Sequence, residues 1–234
     1  MKINAATRGL NHDQLKYIAA AAMLADHIGA FLLPHAGAMY VLCRLIGRLT
    51  APVMCYFLAE GFRYTSSRRK YALRLALFAL LSQVPYAFVN GGLLQSNLNV
   101  LFTLLIAFCM LVVYEAELRL PVKWGLIAAL FLGSAFGDWG LTAPLWVLLF
   151  YRFRGDTARQ MVLFACVAAA ELFRTGIAGG FPGALWQLGM FLAIPLLLLY
   201  NGQRGRGGAF NKWFFYAFYP LHLLAIGLIA QWIR

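Results

Sequence analysis

The chain has 234 residues, 62% of them hydrophobic and 12% charged, with a mean hydropathy of +0.73. Water-soluble domains carry about 25% charged residues, so the supply here falls well short of what a solvated surface needs. A net charge of +12 would point to nucleic acid in a soluble chain, but long apolar blocks with short polar gaps exclude that reading. They predict one all-α membrane domain over 1–234, a polytopic inner-membrane bundle.

Nine apolar segments follow in chain order, at about 15–33, 38–62, 71–89, 98–114, 122–136, 139–153, 160–174, 184–200 and 213–232. The first contains Asp26 and His27 and reads as a permanent helix, not a cleavable signal. The fifth and sixth each cover only about 22 Å of a hydrocarbon core about 30 Å thick. They are two short spans or one re-entrant hairpin turning at Gly137-Asp138-Trp139-Gly140.

The basic residues sort by connection. Lys2, Arg8 and Lys16 precede or open the first segment, and Arg63, Arg68, Arg69, Lys70 and Arg74 cluster at the second connection. Arg119 and Lys123 belong to the fourth, Arg152, Arg154 and Arg159 to the sixth, and Arg204, Arg206 and Lys212 to the eighth. Sixteen basic residues thus lie on one side, against Arg174 and Arg234 on the other. Cytoplasmic loops collect Lys and Arg, so the N-terminus is predicted inside and the C-terminus in the periplasm. The Gly- and Arg-rich stretch 201–208 reads as a flexible linker beside anionic lipid headgroups, not an RNA-binding element.

Asp26 and His27 lie inside the first apolar segment, and Arg44 and Arg48, which belong to no connection, inside the second. Such groups cost a few kcal/mol each at depth and are kept for pairing or function. Asp26 lies seven residues before the end of its segment and Arg44 six after the start of the next. In an antiparallel hairpin turning near Pro34 the two therefore reach one depth, about 10 Å below the outer surface. Arg44 and Arg48, four apart, share a face. An Asp26–Arg pair serves either to fix helix packing or to build a reaction centre, and His27 beside it is either a packing residue or a proton carrier.

Lys16 and His27 are eleven residues apart, within about 20° of three full helical turns. They share a stripe with Ala20 and Met23, with Lys16 at the boundary and His27 about 16 Å deeper. A cationic mouth, a narrow groove and a deep imidazole suit a long ligand with an anionic head and a reactive tip; Lys16 otherwise reads as a snorkelling boundary residue. Glu60 either pairs Arg63 or contacts a polar ligand at the inner face. His222 follows Pro220 in the last segment, where a proline often marks a broken helix lining a cavity, and it divides between packing and site. His12 and His35 are expected to be solvated. Cys43, Cys55, Cys109 and Cys166 form no CxxC pair, so no metal site or disulfide framework is indicated. No internal repeat of the inverted-repeat transporter kind is visible.

The chain resembles the TraX family, integral membrane proteins associated with N-terminal acetylation of conjugative pilin. The resemblance rests on Leu15-Lys-Tyr-Ile, Met23-Leu-Ala-Asp-His-Ile-Gly29, Arg44-Leu-Ile-Gly-Arg-Leu-Thr-Ala-Pro52 and Leu58-Ala-Glu-Gly-Phe-Arg-Tyr-Thr65. It continues through Leu81-Ser-Gln-Val-Pro-Tyr86, Leu98-Asn-Val-Leu-Phe-Thr-Leu104 and Phe218-Tyr-Pro-Leu-His-Leu223. The basic residue, ten-residue gap and histidine of Lys16–His27 are similar to the wider membrane acyltransferases that acylate sugars. The resemblance implies an acyl-CoA donor, acetyl-CoA first, and leaves a pilin-like peptide or a glycan as acceptor. On that footing His27 is expected as general base, Asp26 as its orienting or balancing group, and Arg44 and Arg48 as stabilisers of developing negative charge. Lys16, Arg63, Arg68 and Arg69 are expected to hold the CoA phosphates, and Glu60 and His222 to contact substrate. A transporter or channel with an Asp/Arg/His relay is the alternative class for the same residues.

Overall fold

A computed structural model describes residues 9–35, 37–205 and 207–233. Its elements, in order, are α1 His12–Leu32, α2 Ala38–Gly47, α3 Thr50–Tyr64, α4 Arg68–Val89, α5 Val100–Glu115 and α6 Leu120–Gly133 with a 3₁₀ turn at Ser134–Phe136. Then come α7 Thr142–Arg152, α8 Thr157–Gly179, α9 Phe181–Ala184, a 3₁₀ helix Leu185–Leu192, α10 Ala193–Leu198 and α11 Ala209–Ile233. The nine predicted apolar segments each meet helical structure, and among the described residues the only bridges between extended backbones are isolated ones. Five helical stretches are long and apolar enough to cross a bilayer, and 100–115, 120–136 and 185–198 form shorter apolar helices. The chain is a multi-pass helical membrane protein.

The second segment is not one straight helix. It breaks between α2 and α3, at Arg48 and Leu49. The cause lies in the sequence: Pro52 has no N–H to donate to the carbonyl of Arg48, four residues back, and its ring crowds that carbonyl. Beyond the break α3 is the central helix, with Val53, Cys55, Phe57, Leu58, Ala59 and Phe62 all buried and α1, α5 and α7 packed around it. Large apolar side chains exposed on the periphery, among them Leu80 and Val84 of α4, Leu120 and Trp124 of α6 and Leu221 and Leu228 of α11, form a surface suited to lipid.

α5, α6 and α7 are short because irregular backbone enters the bundle. Leu98 and Gly137 pair: the Leu98 N–H donates to Phe136 O at 2.9 Å and the Asp138 N–H to Leu98 O at 2.7 Å. Gln83 of α4 accepts from the backbone and side-chain N–H groups of Asn99 at 3.0 and 2.9 Å and donates to the Asn97 carbonyl at 3.0 Å. Asn99 in turn caps α5 and donates to Ala79 O at 2.8 Å. Non-helical backbone survives at membrane depth only where protein groups satisfy it, and Gln83 and Asn99 do that here.

Connections predicted to share a side meet one another. Leu10 and His12 donate backbone N–H groups to Leu199 O and Gln203 O, each at 2.8 Å, and Asn201 donates back to Leu10 O at 3.0 Å. Asp13 accepts from the Gly207 N–H at 3.0 Å and from Asn211 at 2.7 Å. The described part of 201–208 is therefore fastened to the start of α1, which corrects the expectation of a free linker; Arg206, like Lys2 and Arg8, lies outside the described residues. His12 is likewise not in a solvated tail, since its ring packs edge-on against Phe57 with centroids 4.4 Å apart.

Candidate active site

A cavity with about 860 Å³ of open space, its mouth included, runs beside α1. Lys16, Ala20, Met23 and His27 all line it, so the stripe read from the eleven-residue spacing is one of its walls. Asp26, Gly47, Arg48, Thr50 and Met54 form the hairpin side, and Phe215, Phe218 and Tyr219 of α11 face them. Lys16 has no ion pair among the described residues; its ammonium stands 5.8 and 5.4 Å from the ring centroids of Phe57 and Phe215. An aromatic collar of this kind attracts a cation through the ring faces without supplying a counter-charge.

Asp26 is 6% exposed and receives two guanidinium groups. Arg44 Nη1 donates to Oδ2 at 2.8 Å, while Arg48 Nη2 bridges Oδ1 and Oδ2 at 2.8 and 2.7 Å. Gly47 makes this possible: a Cβ there would stand 2.1 Å from the Asp26 Cβ. The expected Asp26–Arg pair is thus present, with Arg44 and its face-sharing neighbour Arg48 both on the one carboxylate. The outcome is not symmetric, because Arg48 reaches the cavity wall and Arg44 stays behind it. Trp186 of the 3₁₀ helix covers both guanidinium groups, 4.6 Å from Arg44 and 4.7 Å from Arg48, and Trp139 lies 4.8 Å from Arg48. The Nε groups of Arg44 and Arg48 are buried with no hydrogen-bond partner among the described residues.

His27 Nδ1 lies 2.6 Å from His222 Nε2, with the ring planes 13° apart. His222 is 7% exposed, and its Nδ1 is 2.7 Å from the Phe218 carbonyl, one turn back on α11. His222, expected to contact substrate, is thus placed against His27 and is not part of the cavity wall.

Two further groups on the wall were missed in the sequence. Asp138 and Trp139, from the turn between α6 and α7, line the cavity beside Arg48. The Asp138 backbone is pinned by Leu98 and by the Thr103 hydroxyl, which donates to its carbonyl at 2.7 Å. Its carboxylate forms no ion pair among the described residues. The available signal was an acid at the turn of two segments too short to span.

The remaining candidates lie elsewhere. Glu60 does not pair Arg63; it accepts from the Tyr200 hydroxyl at 2.9 Å, beside a smaller pocket lined by Tyr56, Tyr151 and Arg154. Burial, and then the Glu60 carboxylate, raise the Tyr200 hydroxyl above its ordinary pKa, so it stays a donor. Arg63, Arg68 and Arg69 are exposed where α3 meets α4 and do not line the cavity; Arg68 stacks over Phe62 at 4.2 Å. His35 is exposed. Among the described residues no group of three or more His, Cys, Asp or Glu could hold a metal ion.

Fold and site together define a polytopic helical membrane protein with a histidine and a paired Asp–Arg cluster along a cavity between its helices. The family described as TraX protein matches residues 11–230, and the chain belongs to the TraX family. It is 31% identical over 227 residues to the probable fimbrial assembly protein FimC, serogroup H1, of Dichelobacter nodosus, covering 90% of this chain and 91% of that one. No solved structure matches.

Proposed function

We propose that this protein is a membrane acetyltransferase carrying an acetyl group from cytoplasmic acetyl-CoA to an amine or hydroxyl acceptor at or beyond the inner membrane. The observation that carries the reading is the cavity wall joining an unpaired Lys16 to the His27 imidazole past Arg48. CoA supplies a matching shape: an anionic head for the cationic end and a thin thioester arm for the groove. The exposed Arg63, Arg68 and Arg69 meet the phosphates outside the cavity, and Lys16 meets the anion at its mouth. The fimbrial assembly name of the relative favours a pilin-like subunit over a glycan as acceptor.

In the reaction His27 Nε2 removes the acceptor proton as the nucleophile attacks the thioester carbon. An α-amine with a pKa near 8 needs such a base at neutral pH. The new N–C or O–C bond forms, the C–S bond breaks, and the proton passes from His27 to the departing CoA thiolate. Arg48, held by Asp26, faces the oxyanion of the intermediate, and Arg44 fixes Asp26 from behind.

The test is release of CoA thiol from acetyl-CoA by detergent-purified protein with a peptide amine present. His27→Ala should lower turnover on the order of 10²–10⁴-fold. Wild-type turnover in that variant would remove His27 from the mechanism. Solute flux in proteoliposomes, with no acetyl-CoA binding by calorimetry, would establish a transporter instead.

A further inference from the structure

We infer that His222 is a positioning residue that fixes the tautomer of His27 and aims its lone pair into the cavity. The Phe218 carbonyl has only lone pairs to offer, so the His222 Nδ1 that lies 2.7 Å from it carries the hydrogen. A neutral His222 then has a bare Nε2. Among the described residues the group placed to use that lone pair, at 2.6 Å, is His27 Nδ1, which therefore carries a hydrogen as well. One proton per neutral ring leaves His27 Nε2 bare. Among the described residues that nitrogen has no hydrogen-bond partner, and it is absent from the fully buried polar atoms that lack one. His27 lines the cavity. A backbone carbonyl of α11 thus dictates, through two rings, which nitrogen of α1 is basic.

The arrangement has the logic of a catalytic histidine oriented by a carboxylate, with an imidazole and a peptide carbonyl in the carboxylate's place. When His27 Nε2 takes a proton, the Nδ1–H···Nε2 bond to His222 becomes charge-assisted and strengthens, which favours the protonated state at the moment it is needed. Asp26, the neighbour in sequence, does not fill this role, because its oxygens are taken by Arg44 and Arg48. The catalytic use of the lone pair rests on the acetyltransferase reading; the tautomer itself does not.

The chain has only four histidines, so ¹⁵N spectra of histidine-labelled protein in lipid bilayers resolve the question directly. His27 and His222, assigned by loss of signals in His27→Gln and His222→Gln, should both show a protonated Nδ1 and a bare Nε2 at a pH where the rings are neutral. His222→Phe keeps the ring volume but removes the acceptor, and His27 should then move its proton to Nε2. His222→Gln restores an acceptor oxygen and should return the His27 signature. With acetyl-CoA, His222→Phe should lower kcat on the order of 10²–10⁴-fold with the acetyl-CoA KM within about threefold of wild type, and His222→Gln should recover at least tenfold of the loss. A wild-type His27 protonated on Nε2, or one whose tautomer ignores His222→Phe, overturns the inference. The expected tautomers in a protein that transfers no acetyl group would uphold the dyad and overturn the enzyme reading instead.

Discussion

At the scale of single residues, Lys16 and Arg48 do different work although both are cations on one wall. Arg48 shares the Asp26 carboxylate with Arg44, so it presents a fixed hydrogen-bonding edge in a cluster of two guanidinium groups and one carboxylate. Lys16 is cushioned by Phe57 and Phe215 and forms no ion pair among the described residues. Lys16→Met should therefore raise the KM for acetyl-CoA about 10–100-fold, the worth of roughly 1.5–3 kcal/mol for a charged hydrogen bond, while leaving kcat nearly unchanged. Equal falls in kcat and kcat/KM would place Lys16 at the chemistry instead of the mouth. This half of the site was legible in the sequence, since helical period puts Lys16, Ala20, Met23 and His27 on one stripe and a short turn brings Asp26 level with Arg44. His222 and Asp138 were not legible as parts of it. Their positions depend on pairings across 195 and 35 residues, with His27 and Thr103, and no local period records those.

At the scale of elements, the hairpin of α1 and α2 works only because small residues let the backbones close on the charged side chains. Gly47 is the tightest point, with Asp26 occupying the place of its missing Cβ. Gly47→Ala should push α1 off α2 and stretch both guanidinium contacts. Overpacking alone costs about 1–3 kcal/mol, or a fall in Tm of roughly 2–10 °C for a chain of this length, read by thermal unfolding in detergent. Acetyl transfer should fall in parallel. Gly125→Ala on α6 is the control, because a Cβ there meets nothing within 4 Å and the substitution should be neutral or slightly stabilising. Equal Tm changes in the two variants would show that the Asp26–Gly47 contact carries no special strain. Pro52, visible from the start within the second segment, was the sign that the segment would break at Arg48.

At the scale of the whole molecule, the irregular pieces of backbone converge. The break at Arg48–Leu49 and the turn at Gly137–Leu141 border the cavity, and the 3₁₀ helix of Leu185–Leu192 lays Trp186 over both guanidinium groups. The paired Leu98 anchors that turn, and Gly189 approaches Leu45 so closely that a Cβ would lie 1.7 Å from its carbonyl oxygen. The turn and the 3₁₀ helix leave helices shorter than a simple span, while the stretch broken at Arg48 is still long enough to cross, and the parity of crossings is kept if the third and fifth connections dip in from the outer face and return to it. The mutual contacts of the N-terminus with the eighth connection, of Glu60 with Tyr200 and of Tyr64 with Arg154 fit that parity, since they gather the basic connections at one end. Fusion reporters decide it. A periplasm-dependent phosphatase joined after Arg234 should be active and a fluorescent protein there dark, while the same pair inserted at Gly155 should give the reverse. Fluorescence at both sites would mean that one of the short segments fails to cross, and would place the acceptor's approach on the same face as the donor's.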